Sequence, residues 1–549
     1  MGAFVRYLDM SDKITRREFC AKAGTLTLTL PFLGCFGPSV ALGGKGVSSL
    51  NSPADTEVQM PGPPKASDVI MRSLRIHPED SNDPHDTMRA LEEFHATRLE
   101  WAYISDPAYI KTVKKSGRVF GGAVSATSYI PLDSDSAWFE RVVIKDLNGK
   151  PIIAPWKRTW ERSLWGCINN PELEAGYLRY LKRYIDAGVQ VMQRDEAEGN
   201  YLAIQWGGCF CDFCTEGFRM YLETNSNAEE LGVLGVNDIT KFNYREHLRE
   251  SGAPVGDAFA KWRGDDLKRY FIKFQRDATV SFHKRTRLAI KKYVGHEIPM
   301  SCNNVGVKRG PVEQVFDWWM GELRYRDATP ETLYTIMHQA KKCGKRQVVT
   351  MPKKANQKDL ADWVRLTRQT IAMAYACGGQ CMVPWDIYMP NNAPRYFGTP
   401  DRYADLYRFV RTKKEYLDGY HEMEALIPNG EKATKESSHL SVSRSKDICI
   451  IARSNPDSVR KPVVFHLVDW SRDQKSFSLN VDFNFFNIKH SSTFNLLVPE
   501  PYSPMGDLGL WTKSKHKKDL GPIKLHVQPD NSLLIPPAIN PWGLIVLEQ

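Results

Sequence analysis

The 549-residue chain predicts an α/β protein: a (β/α)8 barrel followed by a C-terminal β-sandwich. Three observations carry that prediction. Eight apolar, strand-like runs alternate with amphipathic helical runs between Ile70 and Tyr420. Near Glu422 the texture changes, and from Asp447 on short alternating runs, "ICIIARS" to "GLIVLEQ", follow one another between turn residues with no helical period. With 42% hydrophobic and 25% charged residues, the chain can bury a core large enough for two domains.

Ahead of the first strand, residues 1–43 read as a targeting signal. "ITRREFCAKAG" sets Arg16 and Arg17 before Phe19, and the weakly apolar "TLTLTLPFLGCFGPSVALG" follows. This resembles a bacterial twin-arginine signal and implies a periplasmic or secreted protein. "FLGC" offers lipid attachment at Cys35 as an alternative fate. Residues 44–65, rich in Gly, Ser and Pro, form a linker. No later run approaches the ~20 apolar residues of a membrane span.

The barrel is assigned to residues 66–421, in order. "IMRSLRIHP" from Ile70 is the first strand, and "DPHDTMRALEEFHA" opens a helix on Asp-Pro. "RLEWAYIS" is the second strand, and the helix "DPAYIKTVKKSG" stops on Gly117. "RVFGGAVSATS" is the third; after a long loop comes the helix "PELEAGYLRYLKRYIDAG". "GVQVMQRDEAEGN" from Gly188 is the fourth, "EIPMSCNN" the fifth and "VFDWWMGEL" the sixth. "TPETLYTIMHQAKKCGK" is a helix with a Thr cap, Pro at its first position and basic residues in its last turn. "RQVVTMPK" and "QCMVPWDIYMP" complete the eight. An insertion over 207–297 carries further amphipathic helices, and 422–549 is the sandwich. A doubly wound open sheet is the alternative reading of the same alternation.

In such a barrel the strand ends gather at one mouth, so polar residues there are candidates for chemistry. The strand ends offer Arg75, His77, Trp101, Tyr103, Asn303, Asn304, Lys353, Trp385 and Asp386 as substrate-binding groups. Aromatic faces beside amide and cationic donors suit sugars. Asp195 and Glu196 end the fourth strand and Glu322 the sixth; two carboxylates on opposite sides of a site can split a glycosidic bond, one as nucleophile or base and the other as proton donor. Only one of Asp195 and Glu196 should face the barrel axis, and periodicity does not choose. The competing reading of each acid is an ion pair with Arg194 or another cation. Asp317, early in its strand, reads as structural.

"GGCFCDFCTEGF" brings Cys209, Cys211 and Cys214 close together, and Cys167 in the preceding loop supplies a fourth sulfur. Four thiolates suit a structural zinc; buried thiols or a disulfide are the alternatives. No cofactor is expected for catalysis. The net charge of +10 suits a polyanion such as a sulfated or uronic polysaccharide, and equally nucleic acid. Nucleic acid is disfavoured, since no zinc-finger, helix-turn-helix or RNP pattern occurs.

"NGKPIIAPW", the stretch "CINNPELEAGYLRYLKRYIDAGVQVMQRDE", the cysteine cluster and the closing "PWGLIVLEQ" resemble bacterial glycoside hydrolases of the barrel-plus-sandwich type. In layout the chain is similar to the family forty-two β-galactosidases, some of which bind zinc through cysteines after the fourth strand. It is also similar to dextranases, whose nucleophile ends strand four and whose acid/base ends strand six. The resemblance implies Asp195 as nucleophile, with Glu196 as its rival, and Glu322 as acid/base, in an exported, retaining glycosidase acting on an oligo- or polysaccharide. It also implies a homo-oligomer. The chain lacks the Asn-Glu pair of the β-galactosidases at strand four, and strand seven ends in "TMPKK" without an acid. A non-catalytic carbohydrate-binding protein of the same fold is the alternative.

Overall fold

Strand pairing sets the frame. The computed structural model describes residues 61–72, 87–125, 127, 136–155, 165–304, 309–351, 360–384, 386–387, 394–396, 400–429, 432–443, 446–457, 463–473, 475–489, 493–502 and 521–548. The signal, the linker up to residue 60, Arg75, His77, Lys353 and Trp385 lie outside these residues. So does the side chain of Asp386.

Eight strands pair in parallel and in chain order: β1 (Ile70–Met71), β2 (Arg98–Ala102), β3 (Val119–Ser125), β4 (Val191–Asp195), β5 (Met300–Asn303), β6 (Trp318–Glu322), β7 (Arg346–Thr350) and β8 (Gln380–Cys381). The Val383 N–H donates to the Ile70 carbonyl at 2.8 Å and joins the last strand to the first, closing the barrel. Ile70, Trp101, Ala123, Val191, Trp318, Met320, Val348 and Met382 fill its interior. The packing leaves no room for a side chain at Gly121, whose added Cβ would lie 2.9 Å from both Glu100 and Val191. At the opposite end from the mouth, Arg98 pairs with the fully buried Glu100 and its guanidinium lies over Trp318, sealing the floor. Burial pushes the Glu100 carboxyl up against the opposing pull of Arg98.

The outer helices obey ordinary capping rules. Asn170 caps Pro171–Asp186 and Thr329 caps Pro330–Lys342, each followed by proline at the first helical position. Between β4 and β5 the helices Asp212–Asn225, Ala228–Val233, Tyr244–Glu250, Asp257–Lys261 and Leu267–Val294 build their own aromatic core around Phe210, Phe218, Tyr244 and Phe271. After β8 come a short hairpin, β9 (Asp386–Ile387) with β10 (Pro394–Tyr396), and the helix Pro400–Thr412.

A seven-stranded antiparallel sheet and a three-stranded one make the C-terminal sandwich. The first contains β11 (His421–Asn429), β12 (Lys432–Lys435), β14 (Ile448–Ser454), β15 (Val463–Asp469), β17 (Thr493–Leu497), β18 (Ile523–Leu525) and β20 (Trp542–Glu548). The second contains β13 (Leu440–Val442), β16 (Phe477–Val481) and β19 (Ser532–Ile535). "ICIIARS" shows why the larger sheet reads as nearly continuous hydrophobicity. Ile448, Ile450 and Ala452 enter the sandwich core, whereas Cys449 and Ile451 pack with the barrel's outer layer. Trp542 anchors that second face, stacked on Tyr375 and edge-on to Phe409. β11 to β13 were not among the strands expected from sequence. Glu422 and Glu424 break up the apolar run of β11, and its strand conformation comes from pairing with β14.

Candidate active site

Alternation along two strands puts two acids inside the barrel mouth. Val191 lies in the barrel interior, so Asp195, four residues on, shares its inward parity. Trp318 and Met320 are likewise interior, and Glu322 continues their face. Arg194 points the other way. Its guanidinium donates to the Tyr177 hydroxyl and lies 4.9 Å from that ring, in the layer between barrel and helices. It therefore pairs with neither acid.

The strand register sets the acids' heights. Arg194 pairs with Cys302 and Asn303 with Met320, so the residue level with Asp195 across β5 is Met320, two short of Glu322. An eight-stranded barrel of this kind shifts by about one residue per strand, which brings Glu322 to the height of Asp195 two strands away. Two strand spacings put their backbones roughly 9–10 Å apart, with both side chains directed to the axis. Tyr103, on the inward side at the end of β2, takes the same tier by the same count.

Three donors hold Asp195. The Tyr103 hydroxyl donates to Oδ2; the Asn303 amide and the Glu196 backbone N–H each donate to Oδ1 at 2.9 Å. The carboxylate plane is fixed by groups from β2, β5 and its own turn. Glu196 instead has a left-handed backbone, φ 53°, and accepts from the Ser125 hydroxyl on β3. Trp101 is the other mouth residue with positive φ, at 57°. Non-glycine residues rarely adopt this conformation, and they concentrate at functional sites.

Two of the expected sugar contacts need correction. Asn304 is fully buried and exchanges two hydrogen bonds with the Gln347 side chain, at 2.9 and 3.1 Å, tying β5 to β7 outside the barrel interior. Trp101 is only 3% exposed; its ring face is covered by the Arg72 guanidinium at 4.5 Å, so it packs beneath the mouth and offers no open stacking face. Tyr103 is half-buried at the mouth, and Asn303 is held against Asp195. Asp317 is bound by Arg287 at 3.0 Å and accepts from the Met300 N–H.

The sequence did not single out Arg72 or His283. Arg72 lies one residue past β1 and is buried beneath the mouth. His283, on Leu267–Val294, donates from Nε2 to the Ala197 carbonyl at 2.7 Å and so props the turn that follows Asp195 and Glu196. Burial lowers its pKa to about 3, which keeps the ring neutral. A lone histidine on an apolar helix face carries no sequence signal that separates this role from plain packing.

Next to this turn, Cys167, Cys209, Cys211 and Cys214 are all buried, with their sulfurs within 4.8 Å of one another. Cys167 lies 3.4 Å from Cys214 and 3.6 Å from Cys211, too far for a disulfide of about 2.05 Å. Four sulfurs at ~2.3 Å from a tetrahedral zinc stand about 3.8 Å apart, and the cluster matches that spacing. Burial pushes the Cys209 and Cys214 thiols up, while the neighbouring sulfurs pull Cys211 down. Asn200 donates to the sulfurs of Cys167 and Cys214, at 3.2 and 3.3 Å, and Asn169 to Cys214 at 3.3 Å. Amide donors around thiolates are the usual outer support of a metal site. The donor set fits a divalent cation with no position left for water.

No protein-family model matches the chain. It is similar to a protein named α-agarase from Thalassotalea agarivorans, 26% identical over 232 residues, which is 39% of this chain and 15% of that protein. A second α-agarase, from Alteromonas agarilytica, is 25% identical over 234 residues, 39% of this chain and 16% of the relative. The matched stretch is thus a small part of these relatives' length. Among solved structures, a cycloisomaltooligosaccharide glucanotransferase from a Paenibacillus species, complexed with cycloisomaltoheptaose, superposes with a TM-score of 0.51 at 8% identity. It covers 88% of this chain and 85% of the other. That likeness is one of fold. The chain is a (β/α)8 barrel with a C-terminal β-sandwich, and among the described residues no helix is long and apolar enough to cross a membrane.

Proposed function

We propose that the chain is an exported glycoside hydrolase that cleaves O-glycosidic bonds of an oligo- or polysaccharide with retention of configuration. The observation that carries this reading is the inward parity of Asp195 and Glu322 at one height of the barrel mouth, two strands apart. In the first step the Asp195 carboxylate attacks the anomeric carbon while Glu322 gives its proton to the departing glycosidic oxygen. In the second, Glu322 takes a proton from water as that water attacks the same carbon, and the Asp195 ester bond breaks. Tyr103 and Asn303 orient the nucleophile; Glu196, turned to Ser125, supports the turn. The barrel over 66–421 carries the chemistry and the sandwich over 422–549 braces its outer helices. The names of the matched relatives make agar the first polysaccharide to assay.

The four cysteines hold a structural zinc in this reading, and no cofactor takes part in catalysis. The twin-arginine motif supports export already folded, which would load such a metal before crossing.

The deciding experiment follows the anomeric protons of the first-formed product by NMR. Retention supports the scheme. Inversion would require carboxyls about 6.5–9.5 Å apart instead of about 5–5.5 Å, and would reassign Asp195 as general base. Binding without turnover across a panel of glycosides would leave a carbohydrate-binding protein of the same fold.

A further inference from the structure

Away from the mouth, a cavity of about 600 Å³ opens between barrel and sandwich. Its walls come from the first half of the helix Leu360–Ala376, the first turn of the helix Pro400–Thr412, and the sandwich segments 469–472 and 539–541. Neither Asp195 nor Glu322 lines it. Barrel helices run back from the mouth, so residues early in these two helices lie toward the mouth end of the barrel's outer wall.

Four arginines line the cavity: Arg365, Arg368, Arg402 and Arg472. The acids around them do not balance them locally. Asp405 is committed to Arg368, in two hydrogen bonds of 2.7 and 2.6 Å. Asp362 is shared between Arg365 at 3.4 Å and Arg472 at 3.3 Å. Asp469, the one acid in the wall, accepts from the backbone and hydroxyl of Ser471. Arg402 has no acidic partner among the described residues, and the buried Nε of Arg365 has no hydrogen-bond acceptor. Guanidinium groups gathered in a half-buried pocket repel one another unless an anion joins them, and their planar forks match sulfate and carboxylate. The rest of the wall pairs polar Ser471 and Asn540 with apolar Ile539 and Pro541, a surface suited to a sugar ring.

We propose that this cavity is a second saccharide site, which takes a sulfated or carboxylated sugar unit and places Arg402 and Arg365 on its anionic group. It extends the glycosidase reading, since a chain held there would be presented to the mouth. It is nevertheless tested by binding alone. The full chain carrying Asp195→Asn is titrated calorimetrically with a heparin tetrasaccharide, tetragalacturonate, maltotetraose and sodium sulfate. The expected result is saturable binding of one or both anionic tetrasaccharides, weakened by salt and reduced at least roughly tenfold by Arg402→Ala. Arg402→Lys should retain an intermediate affinity, and turnover of a small neutral aryl glycoside by the otherwise native Arg402→Ala chain should stay unchanged. Equal binding of maltotetraose, no binding of either anionic tetrasaccharide, unaltered affinity in both Arg402→Ala and Arg365→Ala, or sodium sulfate binding as tightly as the saccharides would each overturn the proposal. Failure of the hydrolase reading would instead appear as absent turnover with this binding intact.

Discussion

The turn after β4 joins two clusters of opposite character. On its mouth side, Asp195 and Glu322, 127 positions apart in sequence, end strands β4 and β6 on their inward faces, beside the positive-φ backbone of Glu196. On its far side, four sulfurs sit fully packed, three of them within six residues of chain, and their polar neighbours are amides aimed at the sulfurs. The mouth spends conformational energy to expose reactive groups; the knot spends reactive groups to gain rigidity. If this contrast is right, substitutions at the mouth should change rate without changing stability, and substitutions at the knot should do the reverse.

The largest effect is expected at Asp195, the proposed nucleophile. Asp195→Asn should lower kcat by on the order of 10⁴ or more on any substrate the native protein hydrolyses, with Tm within a few degrees of native. A large fall in Tm would place Asp195 among structural residues and erase the contrast. Glu322→Gln should cost roughly 10²–10⁴ in kcat and leave substrate affinity in place. It should spare aryl glycosides with good leaving groups, which need no proton, and should remove the basic limb of the pH–rate profile. Native-like rates on an unactivated glycoside would exclude Glu322 from the mechanism.

On the other side of the comparison, Cys214→Ser should destabilise the fold by on the order of 3–5 kcal/mol, read from denaturant unfolding, and should abolish zinc stoichiometry by metal analysis. The specific activity of the molecules that remain folded should change little. Native protein that holds no metal, and is insensitive to chelator, would show the sulfurs to be merely packed thiols.

The next effect is a pH dependence of stability. His283 has a folded pKa of about 3 against an ordinary value of 6.5, because burial excludes its charged form, and burial lowers His466 in the same direction. Between these values the unfolded chain binds the protons, so stability is complete above about pH 6.5 and falls as pH drops toward 3. At pH 5 His283 should cost about 1–2 kcal/mol, and His283→Gln should flatten part of that slope. An unchanged slope in that variant would mean that His283 is not the proton acceptor. The smallest effect is expected for Tyr103→Phe, which removes one of the three donors to Asp195. A loss of about tenfold in kcat with unchanged KM would mark Tyr103 as a positioning residue, and a change confined to KM would return it to substrate contact.

Legibility followed the same divide. The cysteine cluster could be read because CxCxxC spacing places sulfurs together whatever the rest of the chain does; Cys167 was named from its place in the preceding loop, and the fold brings it within 4.8 Å of the other three. Arg194 shows the limit. Next to two acids in sequence it offers an ion pair as the competing reading of both, yet strand alternation sends it to the Tyr177 side of the sheet. Asn303 and Asn304 show it again. They are adjacent and chemically identical, but one donates to Asp195 and the other is locked to Gln347.

From the sequence alone came the eight-fold strand–helix alternation, the change to a β-sandwich and the residues that crowd the strand ends, because periodicity and turn chemistry are local properties of the chain. Tertiary structure alone decided which member of each adjacent pair faces the axis, that Asn303 and not Asn304 binds Asp195, and that arginines from two barrel helices and a sandwich loop share one cavity. Those outcomes depend on strand register and on packing between segments well separated in the chain, which the local pattern of a single sequence does not encode.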